Sequence, residues 1–252
     1  MSLTADQINR YKRHLLLPEV GGQGQQALLA ASVLVVGAGA LGCPALSALA
    51  GVGVGRIGVC DGDRVEASNL HRQTVYRTAD IAEPKAAVAA RRLADLNPDT
   101  AWSVIAEDMT DANADAIAAG YDLVVEGLDR YAPRYTVNAA CLRAGLPLVS
   151  AGVRRFDGQV ATLAPGRADA PCYACLVPEA PDDEAVCEAE GVLGPVTGVV
   201  GGLAALAAIR LLTGADVTGC LTIYDGLAGT MRTARLPRDP GCPACGEEGF
   251  GA

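Results

Sequence analysis

The chain has 252 residues, 29 of them acidic and 20 lysine or arginine, for a net charge of −9; half of it is hydrophobic and 4% aromatic. That balance argues against wholesale binding to nucleic acid or an anionic membrane, although a local basic pocket would be hidden in the sum. The apolar share excludes a disordered polymer, and the length fits one large α/β domain built on Ala, Val, Leu and Gly.

Residues 1–9 are polar and lack the cationic-then-apolar order of a secretion signal, so a cytoplasmic location is expected. Residues 4–30 read as two helices. Thr4-Ala-Asp-Gln7 has the form of a capping box, and Ile8, Tyr11 and Leu15 recur at helical spacing. Arg10, Lys12, Arg13 and His14 form a basic cluster that by itself reads equally well as a solvated helix face. Residues 18–24 read as a loop and 25–31 as a short helix.

Ser32-Val-Leu-Val-Val-Gly-Ala-Gly-Ala-Leu-Gly42 is an apolar strand running into a G-x-G-x-x-G turn and a helix. Gly37 permits the tight turn, Gly39 lets a phosphate approach the backbone, and Gly42 allows close helix–strand packing. The free N–H groups at the helix start suit an anion. The next strand ends at Asp61, about 20 residues beyond the glycines, where a carboxylate accepts from ribose hydroxyls; Asp63 reads as a loop or capping residue.

Residues 61–80 form a long polar loop containing Ser68-Asn-Leu-His-Arg-Gln73, and loops of this length tend to be functional. Glu83-Pro-Lys85 opens a helix to about residue 97. A lysine there opposes the helix dipole unless an anion compensates it, so Lys85 points to phosphate. A third strand at 102–106, a helix at 112–119 and a fourth strand at 121–126 lead to Glu126-Gly-Leu-Asp-Arg130. Ligands of open parallel sheets sit outside the carboxyl ends of the strands, so Asp129 converges with Asp61 and Gly37, placed to hold Mg²⁺. A helix at 134–144 and a strand at 146–150 follow, then strands without intervening helices at 159–163, 221–224 and 231–236, which make the sheet mixed. The apolar run 196–212 falls short of the ~20 residues that span a bilayer and reads as a buried helix.

Nine cysteines in a reducing compartment point to metal, catalysis or burial rather than a disulfide framework. Cys172-Tyr-Ala-Cys175 and Cys242-Pro-Ala-Cys245 supply four thiolates, the closed set of structural zinc, which would clip the C-terminal segment onto the domain; a redox pair is the weaker reading. Cys187 lies in an acidic, proline-marked segment with no core pattern, where a loop thiol could meet an activated acyl group. Cys43, Cys60, Cys141 and Cys220 read as buried apolar residues.

Taken in this order, Arg10-Tyr-Lys-Arg13, the Gly37–Gly42 turn, Asp61-Gly-Asp63, Ser68-Asn-Leu-His-Arg-Gln73, Pro84-Lys85, Asp129, both cysteine pairs and the Gly191–Gly201 segment resemble the ubiquitin-activating superfamily. The resemblance is to the bacterial branch that adenylates sulfur-carrier proteins for molybdopterin and thiamine synthesis. It covers nearly the whole chain and implies a Rossmann-like, mainly parallel sheet with helices on both faces, continuing into antiparallel strands with a zinc knuckle. It also implies one adenylation domain over 1–252: N-terminal helices at 1–31, a nucleotide-binding part at 32–150, and a carrier-binding and zinc part at 151–252 with a mobile loop at 176–195.

The resemblance further implies ATP and Mg²⁺ beside structural Zn²⁺. Gly37, Gly39, Ala40 and Gly42 would form the phosphate turn, Asp61 the ribose ligand, Ser68, Asn69, Arg72 and Lys85 the groups around the triphosphate, and Asp129 the magnesium-associated acid. Arg13 would reach the γ-phosphate from the other subunit of a homodimer, and Cys187 matches a loop cysteine proposed in some members to take the acyl group. Ala40 stands where the family usually has glycine. Arg130 replaces an asparagine, and it either pairs with Asp129 or supplies another phosphate contact. The implied substrate is the C-terminal Gly-Gly carboxylate of a ubiquitin-fold carrier, with a separate sulfur donor. An NAD-dependent oxidoreductase, which the glycine turn alone would favour, a tRNA-modifying relative and a non-catalytic zinc scaffold are the rival readings.

Overall fold

The computed structural model describes residues 2–165, 167, 169–179 and 191–246. One eight-stranded sheet runs in the order β3-β2-β1-β4-β5-β6-β7-β8. Strands β1 (Ser32–Val36), β2 (Arg56–Cys60), β3 (Ala101–Ile105), β4 (Leu123–Glu126) and β5 (Leu148–Arg154) are parallel. Strands β6 (Asp157–Leu163), β7 (Cys220–Asp225) and β8 (Thr230–Arg235) continue antiparallel.

The central strands are continuous apolar runs because both faces are covered. Val33, Val35, Ile57, Val59 and Val125 face α3 (Gly42–Gly51), α4 (Lys85–Ala94) and α8 (Gly194–Leu212), while Leu34, Val36, Val124 and Leu148 face α5 (Ala114–Ala118) and α6 (Tyr131–Ala144). Helix α8 is long and apolar enough to cross a membrane by length and composition. In this fold its Val196, Val200, Ala204 and Ala208 belong to the core between the sheet and α3. A side chain at Gly201 would meet the Leu41 carbonyl at 2.6 Å, so the glycine sets how closely these helices approach.

Helix α1 (Ala5–Leu15) starts with the expected Thr4/Gln7 capping box. Helix α2 (Gly21–Ala30) takes in residues 21–24, expected in a loop. Tertiary contacts override poor helix formers there: Gly24 packs against Val20 and Thr213, and the buried Gln25 side chain donates to the Val52 carbonyl at 2.9 Å and bonds His14 at 2.8 Å. Helix α4 ends at Ala94 rather than near residue 97, because buried Asn97 instead donates to the Ala50 carbonyl at 2.7 Å and to Tyr11 at 2.9 Å. Strand β5 runs on to Arg154, and the β5–β6 hairpin turns through Arg155 at φ +54°. Of the cysteines read as buried, Cys43, Cys60 and Cys141 are so, whereas Cys220 is half-exposed.

Candidate active site

A cleft of about 810 Å³ opens at the carboxyl ends of the parallel strands and runs out over β5, β6 and β7. Its floor starts at the glycine turn. Gly37 has φ +90°, a conformation open to glycine, and a side chain at Gly42 would collide with the Gly37 carbonyl. A Cβ at Gly39 would meet only Gln73 Nε2, at 3.6 Å, so this backbone faces the open cleft. Ala40 also lines the cleft, whereas Gly42 packs beneath it.

The turn is held from three sides. The Ala38 and Asp63 N–H groups donate to the Asp61 carboxylate at 2.6 and 2.9 Å. Burial raises the Asp61 pKa above the ordinary carboxylate range, and the nearby Lys85 ammonium is the leading counterweight. The Ala38 carbonyl accepts from the Tyr76 hydroxyl at 2.7 Å and from the Cys43 thiol at 3.3 Å; Tyr76 also donates to the Lys85 carbonyl at 3.4 Å. Tyr76 therefore ties the glycine turn to the start of α4, a role that a single tyrosine in a polar loop did not announce.

Lys85, 5% exposed, is the first residue of α4 and places its ammonium 2.8 Å from Asp63. Asp63 is thus the ion partner of this lysine as well as a loop residue; its own side chain is 72% exposed. Nearby, a short 3₁₀ turn (Ala67–Asn69) lets the Asn69 carbonyl accept from the Arg72 and Gln73 N–H groups at 3.1 and 3.0 Å. The Arg72 guanidinium donates to Asn69 Oδ1 at 2.8 Å and the Ser68 carbonyl at 3.1 Å. Asn69, Arg72 and Lys85 line the cleft; Ser68 stands behind Arg72 and does not.

On the opposite wall, Asp129 and Arg130 follow β4, with Arg130 capping α6. Beneath them the fully buried Glu126 accepts from Arg134 at 3.1 Å, from the Leu128 N–H at 3.1 Å and from the Ser150 hydroxyl. Arg134 also donates to the Leu128 carbonyl and, at 2.9 Å, to that of Ala151. This network, unread from sequence, fixes the 126–130 turn between β4 and β5.

Arg13 is exposed in the last turn of α1 and does not line the cleft. Helix α1 docks through Tyr11, whose hydroxyl donates to Asp99 at 2.8 Å, at the amino end of β2 and β3. Five-residue strands span roughly 17 Å, so Arg13 lies at the far end of the sheet from its own chain's cleft. Cys187 and most of the predicted 176–195 loop lie outside the described residues. The end of that segment is ordered structure: Val192 bridges Arg155 in parallel, and Gly194 starts α8.

The four paired cysteines converge. Cys172 caps α7 (Tyr173–Leu176), and all four Sγ atoms lie within 4.8 Å of one another, with 172–242 at 3.7 Å and 175–245 at 3.5 Å. A tetrahedral zinc with bonds of about 2.3 Å sets sulfurs about 3.8 Å apart, so the donor set fits. The Asp239 N–H donates to Cys175 Sγ at 3.5 Å, a bond that orients the sulfur and stabilises its thiolate form. We expect Cys242→Ser to abolish stoichiometric zinc, by elemental analysis, and to lower the melting temperature by several degrees, since the ion closes a long loop; full metal content in that variant would contradict the assignment.

The fold and cleft define a Rossmann-like nucleotide-binding protein. The ThiF family model matches residues 11–244, and the chain belongs to that family. A sulfur carrier protein adenylyltransferase of Thermus thermophilus is 45% identical over 98% of this chain and 94% of its own length. A SAMP-activating enzyme E1 of Haloferax volcanii is 44% identical over 99% of this chain and 93% of its own. Among solved structures, E. coli MccB with MccA-N7isoASN superposes with a TM-score of 0.82, covering 95% of this chain and 75% of that one, at 24% identity, a likeness of fold.

Proposed function

We propose that this protein is an ATP-dependent adenylyltransferase that activates the C-terminal Gly-Gly carboxylate of a ubiquitin-fold sulfur carrier, for molybdopterin or thiamine synthesis. The observation that carries the reading is the convergence of the open Gly39 turn, Asp61, Asn69, Arg72, Lys85 and Asp129 on one cleft, in a chain 45% identical to a sulfur carrier protein adenylyltransferase.

ATP lies with its ribose hydroxyls on Asp61 and its phosphates over the Gly37–Gly42 turn, where the free N–H groups of α3 point at the anion. Lys85 exchanges Asp63 for phosphate, and Arg72, already braced by Asn69 and Ser68, presents a fixed fork. Asp129 would hold Mg²⁺, which would neutralise charge on the triphosphate; Arg130 beside it adds a phosphate contact. The carrier tail enters over β5 and β6, where Gly152, facing Arg134, leaves the floor without a side chain. Its terminal carboxylate, already ionised, attacks the α-phosphorus, and the bond to the pyrophosphate leaving group breaks. The products are an acyl-adenylate and pyrophosphate, and no general base is needed. Rate enhancement comes from alignment and charge neutralisation.

Arg13, remote from its own cleft, acts from the partner subunit of a homodimer on the γ-phosphate. Residues 151–252 form the carrier-binding part, the Cys187 thiol takes the acyl group from the adenylate as a thioester while the anhydride bond breaks and AMP leaves, and sulfur comes from a separate donor protein. The wild-type enzyme is expected to exchange labelled pyrophosphate into ATP only when a Gly-Gly carrier is present; carrier-independent exchange, or none, would contradict the reaction assigned.

A further inference from the structure

The cysteine knuckle and the nucleotide cleft are not separate parts of this molecule. Tyr173, between the paired ligands Cys172 and Cys175, is 2% exposed and lies on the cleft wall together with Val177. The Arg134 guanidinium sits over the Tyr173 ring, 5.8 Å from its centre, and the edge of Tyr173 meets Tyr135 at 5.3 Å and 77°. The Tyr173 N–H donates to Asn138 Oδ1 at 2.8 Å, and the Tyr135 hydroxyl donates to the Val177 carbonyl at 2.5 Å. Helix α7 is therefore locked onto α6 at the turns that carry Arg134. Arg134 in turn holds the carbonyls of Leu128 and Ala151 and the Glu126 carboxylate, the anchors of the turn bearing Asp129.

We propose that Tyr173 is a positioning residue for the adenylation site: seated by the thiolate knuckle, it fixes Arg134 and through it the 126–130 turn, so that the knuckle sets the geometry at Asp129 as well as the attachment of the C-terminal segment. Two properties favour this over plain packing. A buried guanidinium against an aromatic face is oriented by it, because the ring's negative face and the fork's four oxygen partners, the Ser150 hydroxyl at 3.4 Å besides Glu126 and the carbonyls of Leu128 and Ala151, together leave one geometry. Moreover, Arg134 is itself buried with its carboxylate partner, so a shift of its head group cannot be absorbed by solvent.

The consequence for Mg²⁺ rests on the reading of Asp129 given above; the consequence for the turn does not. The test uses the full-length protein with its metal, the Tyr173→Leu variant, and Asp129→Asn as reference. Amide hydrogen exchange is followed at Gly127 and Leu128, and Mg²⁺ is titrated against binding of the α,β-methylene analogue of ATP by calorimetry. Tyr173→Leu should retain its zinc, exchange faster at both amides, and need about fivefold more Mg²⁺ for half-maximal binding, the factor corresponding to a lost cation–π contact at the weaker end of its range, as its 5.8 Å separation implies. Asp129→Asn should raise the Mg²⁺ requirement without the change in exchange. Unchanged exchange in Tyr173→Leu overturns the proposal whatever the Mg²⁺ result. A Mg²⁺ requirement unmoved in Asp129→Asn, with exchange accelerated in Tyr173→Leu, instead removes the magnesium role and leaves the coupling standing. Should the leucine variant lose its metal, Arg134→Lys leaves the knuckle untouched and breaks the same fork; normal exchange at Gly127 and Leu128 there overturns the proposal equally.

Discussion

Replacing Lys85 by alanine is expected to lower carrier-dependent ATP–pyrophosphate exchange by about 10²–10³-fold, the usual effect of deleting one preorganised group at developing charge. Lys85 is buried, sits at a helix start where its charge is locally unfavourable, and pairs with Asp63, whose side chain is largely exposed. Its position therefore makes sense when an anion enters. Because Asp63 stays solvated once its partner is gone, the variant should melt within a few degrees of wild type, which separates loss of activity from loss of fold. Arg72→Ala should behave similarly, with the addition that Asn69 loses the guanidinium it holds at 2.8 Å. Exchange at the wild-type rate in either variant would remove that residue from the triphosphate site.

Arg13→Ala is expected to abolish exchange in the pure variant and to be rescued by mixing with Lys85→Ala. Arg13 lies at the amino end of the sheet while Lys85 lies at the carboxyl end, so a cleft that uses both must draw them from different subunits. In a mixed dimer the Arg13→Ala chain keeps Lys85 and receives Arg13 from its partner, completing one site, while the other site lacks both. Exchange recovered on mixing supports the shared site. If pure Arg13→Ala is as active as wild type, or if mixing two inactive variants restores nothing, the trans assignment fails.

The parallel half of the fold was legible in the sequence because its signals are local: apolar runs of strand length, a glycine turn whose spacing has one steric explanation, and Asp61 at the end of the next strand. The glycine turn alone would favour a dinucleotide enzyme; Asn69, Arg72 and Lys85, cationic and amide groups in an acidic chain, are what turn the reading proposed above toward a triphosphate. The cysteine pairs were legible because two thiolates three residues apart can share an ion, and the fold brings both pairs together. What the sequence did not disclose depends on contacts between distant segments. Tyr76 reaches the Ala38 carbonyl across 38 residues, and Ser150 meets Glu126 across a helix. Glycines 21, 22 and 24 became helical through packing that no local propensity encodes. Asp63 read as a loop residue because its partner lies 22 positions on.

The most direct measurement is the intact mass of a Gly-Gly carrier after incubation with this protein, ATP and Mg²⁺, under conditions that preserve mixed anhydrides. The account predicts a carrier heavier by one AMP, the modification mapping to the terminal glycine and pyrophosphate released in equal amount. A carrier of unaltered mass while ATP is bound in the cleft, or one bearing phosphate in place of AMP, would contradict it.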